Sequence, residues 1–153
     1  MKLNFLLKPD HILLDIPART REEVLVFVAE RLEQAGAIRS SQDLVDLLLD
    51  RERLGATVVG DQTAIPHCKV PGLKTILAAF ARTEECVPFS GDNGESARLF
   101  FFVLSPREQP AAHLQVLATI ARLLRNPQAR RVFLDSHSPD ELLAALQGYE
   151  VPP

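Results

Sequence analysis

His67 is the residue of this sequence best suited to covalent chemistry. It follows Pro66, which has no backbone N–H and a fixed φ, and it precedes Cys68 and Lys69. Proline also favours an extended conformation at the residue before it, Ile65, so the chain entering the histidine is stiff. A neutral imidazole is a good nucleophile near pH 7 because its pKa lies close to that value. We therefore predict that His67 lies in a loop and presents its ring for attack, although an ordinary surface histidine would have the same local sequence.

Two further residues could stabilise an anionic group beside His67. His113 is expected in the first turn of a helix that Pro110 opens, and helix N-termini attract phosphate. A neutral His113 could donate one N–H to a phosphoryl oxygen. Arg51 could bind two phosphoryl oxygens at once through its planar guanidinium. The alternative roles are a half-buried capping histidine and an exposed surface arginine.

Other chemistries fit the sequence less well. Cys68 beside His67 suggests a Cys/His nucleophile pair, but neighbouring side chains point apart and no third group is evident to orient them. A zinc site made of His67, Cys68 and His113 lacks a clear fourth ligand and the close ligand pairs typical of zinc. No glycine-rich Walker loop is present, which argues against nucleotide hydrolysis.

Several segments, taken in order, carry a family resemblance: DRERLG at 50–55, Gly60, AIPH at 64–67 and HLQ at 113–115. Together they resemble the phosphotransferase-system enzyme IIA domains of type 2, the fructose/mannitol/nitrogen-regulatory class. In that family the histidine after proline accepts a phosphoryl group from the phosphohistidine of a small HPr-type carrier. The resemblance implies that His67 becomes a tele-phosphohistidine, supported by Arg51 and His113. It implies no cofactor and no metal ion.

The sequence departs from the family pattern at two positions. Cys68 stands where glycine is common, and we expect its side chain to fit but to narrow the approach of the donor. Thr63 stands where an aliphatic residue is more usual. The family's acidic or polar position after the second glycine falls on Asp61, although this match is less exact. None of these changes removes a group that phosphoryl transfer needs.

Composition restricts the partners. The net charge is −3 and no extended basic block is present, so nucleic acid is a poor candidate. No apolar run approaches the roughly 18 residues of a membrane span, and two cysteines make no disulfide framework, which suits the cytoplasm. The resemblance implies an HPr-type donor and, downstream, a IIB domain or regulatory targets such as kinases or transporters. The chain ends at Pro153 without a membrane domain, which favours a nitrogen-regulatory role. A sugar-specific IIA and a module that is never phosphorylated are the alternatives.

The surrounding pattern predicts one α/β domain over residues 1–153, with a small mixed sheet flanked by helices on both faces. Capping boxes at Thr20 and Ser138, and a start at Ser40, predict three helices. The first is expected to stop at Gly36. Short strands are expected at 57–59 and 75–80, and a turn at 90–94. The run 99–104 is apolar throughout, which predicts a central strand covered on both faces.

A further helix begins at Pro110, and a short one is expected after Asn126. Apolar residues recur in the Pro110 helix at the spacing of one buried face. This predicted face consists of Leu114, Leu117, Ala118, Ala121 and Leu124.

Overall fold

The computed structural model describes residues 3–89 and 95–149. The helices are α1 (Leu3–Leu6), α2 (Arg21–Gln34), α3 (Ser41–Arg53), α4 (Pro110–Leu124), α5 (Pro127–Asp135) and α6 (Pro139–Leu146), with a 3-10 helix at Pro9–His11. The strands are β1 (Ile12–Ile16), β2 (Val58–Gly60), β3 (Thr63–Ala64), β4 (His67–Lys69), β5 (Leu77–Pro88) and β6 (Ser96–Ser105). In these ranges no helix combines the length and the apolar character needed to cross a bilayer.

All six strands belong to one mixed sheet in the order β1-β5-β6-β3-β2, and β4 also pairs with β6. Strands β5 and β6 are antiparallel, whereas β1 runs parallel to β5, and both β3 and β4 run parallel to β6. Strand β2 returns antiparallel to β3. The predicted α/β fold with a small mixed sheet is therefore confirmed.

The side chains of β6 alternate between two separate apolar clusters. Phe100, Phe102 and Leu104 pack with α2 and α3, which cover one face of the sheet. Leu99, Phe101 and Val103 pack on the opposite face with α1, α4, α5 and α6. This strand is apolar on both sides because a helical layer covers each side, as the sequence predicted.

The predicted helix starts are confirmed by their caps. The hydroxyl oxygens of Thr20, Ser40 and Ser138 each accept a hydrogen bond from the backbone N–H three residues later. The return bond of the capping boxes differs from the expectation. The Glu23 carboxylate accepts from the N–H of Arg19, one residue before the cap, and Glu141 accepts in the same way from His137. The helix after Thr20 ends before Gly36, which has the positive φ (76°) that glycine adopts readily.

The buried face of α4 is not the predicted one. Its buried residues are His113, Val116, Thr119, Ile120 and Leu123, whereas Leu114 is 65% exposed. The prediction was wrong because two polar residues, His113 and Thr119, lie on the face that contacts the sheet. The apolar stripe predicted from the sequence therefore lies next to the buried face of α4 rather than on it.

The sheet also extends further than predicted. Helix α1 and strands β1, β3 and β4 were not expected from the sequence. Strand β5 continues to Pro88 rather than ending at residue 80, because its polar residues after Ala81 still pair with β6. The turn predicted at 90–94 lies outside the described residues.

Arg82, one of those polar residues, is buried in β5 and joins three parts of the chain. Its Nε and Nη2 donate to the carboxylate oxygens of Asp15 at 3.0 and 3.1 Å. Its Nη1 donates to the backbone carbonyls of Phe133 and Ser136 at 3.0 and 2.8 Å. The hydrogen bonds from Arg82 lower the pKa of Asp15. The guanidinium thus connects strand β5 to β1 and to the end of α5.

We expect Arg82→Met to lower the free energy of unfolding by about 2–4 kcal/mol, since two buried carbonyls lose their donor and the ion pair is broken. A matched control is Arg53→Met, which removes the ion pair to Asp50 between side chains that are 73% and 65% exposed. That change should cost less than about 0.5 kcal/mol. Urea unfolding followed by circular dichroism measures both, and equal losses would contradict the role given to Arg82.

Candidate functional site

The candidate site lies where β6 ends and β4 pairs with it. His67 is opposite Val103 and Lys69 is opposite Ser105 in this parallel pair. The N–H of Val103 donates to the carbonyl of Pro66 at 3.0 Å, so the backbone entering His67 is held by the sheet. The prediction that His67 lies in a loop was wrong, because it is the first residue of a three-residue strand.

The imidazole of His67 is oriented by its own backbone. Its Nδ1 lies 2.6 Å from the carbonyl oxygen of Ile65. A carbonyl oxygen can only accept, so Nδ1 carries the proton and Nε2 keeps its lone pair. Burial lowers the pKa of His67, and the positive charge of Arg51 lowers it further, while the Ile65 carbonyl and Glu52 act in the opposite direction. The ring is therefore a neutral base at pH 7, with Nε2 as its nucleophilic atom.

His113 is the partner ring of His67. The two ring centroids are 5.3 Å apart with an interplanar angle of 52°. His113 is in the first turn of α4, as predicted, and is 8% exposed. Burial lowers its pKa, and the nearby charges of His67, Lys69 and Arg51 lower it further. Its Nδ1 is hydrogen-bonded to the hydroxyl of Ser105.

Arg51 reaches the same cleft from the last turn of α3. Its Nη1 donates to the carbonyl of Gly55 at 2.9 Å, which holds the guanidinium in place. The cleft has a volume of about 530 Å³. It is lined by Leu47, Asp50, Arg51, Leu54, His67, Cys68, Lys69 and His113. The structure thus brings together the three residues that the sequence singled out.

Glu52 and Thr57 support the segment that orients His67, and the sequence did not predict this role. The buried Glu52 carboxylate accepts hydrogen bonds from the N–H and the hydroxyl of Thr57. The carbonyl of Thr57 accepts from the N–H of Ile65 at 2.9 Å, and Ile65 in turn holds the His67 ring. The signal in the sequence is a carboxylate directly after Arg51.

Asp61 does not join the cleft. Asp61 and Gln62 form the two-residue turn between β2 and β3, with φ of 51° and 60°. Positive φ at both positions is the type I′ geometry, which favours Asp and Asn. The turn borders a different cavity, lined in part by Val58 and Glu95. The acidic residue at this position therefore shapes a turn in this chain.

The structure accounts for Thr63, one of the two departures from the family pattern. Its hydroxyl donates to the carbonyl of Asp61 at 3.1 Å and accepts from Nη1 of Arg130 at 2.9 Å. Arg130 also donates to the carbonyl of Asp61. The polar side chain thus joins the β2–β3 turn to helix α5, which an aliphatic residue could not do.

Cys68 packs into the apolar cluster beneath α2 and α3 and is 8% exposed. Burial raises the pKa of its thiol to about 12, so the thiolate is scarce at neutral pH. This removes the Cys/His nucleophile pair as an explanation of the site. Within residues 3–89 and 95–149, no group of three His, Cys, Asp or Glu side chains is arranged to hold a metal ion.

The model of one protein family matches residues 5–149, which is nearly the whole chain. That family is the phosphoenolpyruvate-dependent sugar phosphotransferase system, EIIA 2. The chain belongs to this family. The family resemblance of the sequence is therefore confirmed, and the protein is a IIA domain of the phosphotransferase system.

The IIA domain is similar to two kinds of relative. It is 32% identical over 146 residues to the nitrogen regulatory protein of Bradyrhizobium diazoefficiens, covering 95% of each chain. It also matches sugar-specific EIIABC and EIICBA components, of whose length it spans only 22 to 24%.

Two solved structures show the same fold. The crystal structure of the nitrogen regulatory protein IIA-Ntr from Neisseria meningitidis has a TM-score of 0.84 at 30% identity, covering 94% of this chain and 98% of that one. The mannitol IIA in complex with phosphorylated enzyme IIB from Escherichia coli has a TM-score of 0.75 at 26% identity, covering 94% and 99%.

The depressed pKa values make a prediction that needs no partner protein. In the folded chain His67 and His113 should each titrate with a midpoint below 6.5, because burial and the nearby cations disfavour the imidazolium. A pH titration of the histidine ring signals by NMR measures both midpoints, and the urea-unfolded chain supplies the reference. A midpoint at or above the unfolded value for either residue would contradict the electrostatics described above.

Proposed function

We propose that His67 is the phosphoryl acceptor of this IIA domain, that the donor is an HPr-type phosphohistidine carrier, and that the phosphorylated domain acts mainly as a regulator. The observation that supports this proposal most directly is the hydrogen bond from Nδ1 of His67 to the Ile65 carbonyl. It leaves Nε2 unprotonated in a cleft that also holds His113 and Arg51. This geometry supports the tele nitrogen as the reacting atom.

Phosphoryl transfer to His67 requires no proton to move on its ring. The lone pair of Nε2 forms a bond to phosphorus as the bond from phosphorus to the donor imidazole breaks, in line on the opposite side. The donor ring, which carries a proton on its other nitrogen, leaves as a neutral imidazole. The acceptor ring becomes a phosphoimidazolium that keeps its Nδ1–H on the Ile65 carbonyl. The stiff backbone at Pro66 and the pairing with Val103 keep the nucleophile in position during the exchange.

Charge on the equatorial phosphoryl oxygens is stabilised from two sides. Arg51 approaches from α3, and His113 approaches from the first turn of α4. Groups that are already in position when charge develops contribute most to catalysis. Lys69 borders the same cleft and adds a further positive charge.

A regulatory output is favoured by the match to the Bradyrhizobium nitrogen regulatory protein over 95% of both chains and by the TM-score of 0.84 to IIA-Ntr. Phosphorylation adds up to about two negative charges at the mouth of the cleft, enough to change which surfaces bind there. The second candidate is a sugar-type carrier that passes the phosphoryl group to a IIB domain. It is favoured by the similarity to the mannitol IIA that forms a complex with phosphorylated IIB. Rapid transfer of the label from this chain to a IIB domain would favour the carrier, and retention of the label would favour the regulator.

The acceptor is tested by incubating the chain with phosphoenolpyruvate, enzyme I and an HPr-type carrier. We expect an adduct that is acid-labile and base-stable, and mass spectrometry should place it on His67. His67→Ala should abolish labelling, and His113→Ala should slow it by roughly 10- to 100-fold, since one charge-stabilising donor is lost. His137→Ala, which changes an exposed histidine, is the matched control and should label normally. Absence of labelling with every cognate carrier would overturn the proposal.

The surroundings of the cleft suit a protein donor. Leu54 lines the cleft and is 85% exposed, and Leu114, which follows His113 in α4, is 65% exposed. Large apolar side chains at this exposure serve as contacts in protein interfaces when they lie beside a functional cleft. Leu114, which the sequence assigned to the core, is thus available to a partner, whereas Leu117 and Leu124 of the same predicted face pack against the core.

Leu54→Ser and Leu114→Ser should each raise the KM for the phosphorylated carrier by roughly 3- to 10-fold, because each removes apolar area from the docking contact. The rate at saturating carrier should change little. Val59→Ser is the matched control, since Val59 is 60% exposed on β2 and borders the other cavity. A similar KM increase for the control would place the donor elsewhere.

A further inference from the structure

Ser105 is buried at the end of β6 and makes a hydrogen bond that the transfer scheme leaves unexplained. Its side chain is 0% exposed, and its hydroxyl contacts Nδ1 of His113. Side chains of β6 alternate between the two faces, so Ser105 lies on the same face as Val103, beneath α4. His67, which pairs with Val103, shares that face. The hydroxyl is thus part of the layer in which the two imidazoles meet.

The direction of this hydrogen bond follows from the donors that must be satisfied. The hydroxyl could donate to Nδ1, or it could accept from Nδ1–H. In the second case its own proton would need another acceptor. The structure places no second partner at this oxygen among residues 3–89 and 95–149. A buried hydroxyl proton without an acceptor is unfavourable. The hydroxyl therefore donates, and Nδ1 of His113 is the acceptor.

We propose that Ser105 is a positioning residue that fixes the tautomer of His113, so that the proton of this ring is on Nε2 and is presented to the phosphoryl group. The proposal rests on the proposed role of His67 as acceptor. A neutral imidazole has one N–H and one lone pair, and only the N–H can stabilise a phosphoryl oxygen. With the lone pair of Nδ1 occupied by Ser105, the opposite nitrogen must be the donor.

The two rings of the cleft then have complementary roles, one set by a backbone carbonyl and the other by a side-chain hydroxyl. The Ile65 carbonyl accepts from Nδ1 of His67 and leaves its Nε2 as a lone pair. The Ser105 hydroxyl donates to Nδ1 of His113 and leaves its Nε2 as an N–H. One Nε2 attacks phosphorus, and the other donates to an oxygen on that phosphorus. This arrangement needs no proton exchange between the rings.

The tautomer can be measured directly by nitrogen NMR on the full chain with 15N-labelled histidine, at a pH where both rings are neutral. We expect His113 to show an unprotonated Nδ1 and a protonated Nε2. Ser105→Ala should move both signals towards the average of the two tautomers, and Ser105→Thr, which keeps the hydroxyl, should restore them. A protonated Nδ1 in the unchanged chain would overturn the proposal, and so would signals that Ser105→Ala leaves in place.

The kinetic test uses a double-mutant cycle. Ser105→Ala should slow labelling by roughly 3- to 10-fold, part of the loss expected when an aligned donor is removed. In a His113→Ala background the same change should have almost no effect, because there is no ring left to orient. Equal slowing in both backgrounds would mean that Ser105 acts through packing alone, against the proposal.

Two controls keep the outcomes separate. Circular dichroism should show that Ser105→Ala and Ser105→Thr are folded at the assay temperature. If a variant is not folded, the measurement on the unchanged chain still decides the tautomer. If His113 carries its proton on Nε2 but His67 never becomes labelled, the tautomer assignment stands and the proposed function fails.

Discussion

Every side chain from Leu99 to Leu104 is apolar, so strand β6 is stable only with both of its faces covered. This requirement organises the rest of the chain. The helices α2 and α3 cover one face, and α1 with α4 to α6 covers the other. Because the sheet is mixed, β3 and β4 can run parallel to β6 and bring the chain back to its carboxyl end. The candidate site forms at that end, where strand β4 and both layers converge.

The electrostatics of the site follow from the same placement. His67 is partly buried and His113 is buried. Burial is the largest cause of the lowered pKa of each. Arg51 and Lys69 border the cleft. Arg51 opposes protonation of both rings, and Lys69 opposes protonation of His113. These cations favour an incoming phosphoryl group for the same reason that they disfavour imidazolium. Under the proposed function, one set of charges thus keeps the nucleophile neutral and attracts its substrate.

The sequence predicted the features that depend on local rules. The caps at Thr20, Ser40 and Ser138, the stop before Gly36 and the apolar strand over 99–104 all follow from short-range chemistry. The errors arise where tertiary contacts decide. Strands β3 and β4 have two and three residues and depend on pairing with β6. Arg82 can be buried in β5 because Asp15, 67 residues away in the sequence, accepts its hydrogen bonds.

The candidate site was predicted in part for the same reason. His67, Arg51 and His113 could be named from their types and from the family pattern, and the structure brings them into one cleft. The groups that orient these three residues could not be predicted, because the Ile65 carbonyl and the Thr57 loop have no distinctive sequence. Ser105 is the first polar residue after the apolar run 99–104, and this position is the only indication of it in the sequence. Asp61, chosen by alignment of motifs, lies in a turn instead.

The alternation along β6 assigns neighbouring positions to two different layers. Even-numbered positions such as Phe102 and Leu104, with Cys68 beside them, face the α2–α3 cluster. Odd-numbered positions such as Val103 and Ser105, with His67 beside them, face α4. Position 68 packs into the α2–α3 layer and also borders the cleft, so a change there alters both the packing and the space in front of the imidazoles. Of the three predicted site residues, Arg51 is the one that α3 supplies, so the spacing between the two layers sets how the arginine meets the histidines.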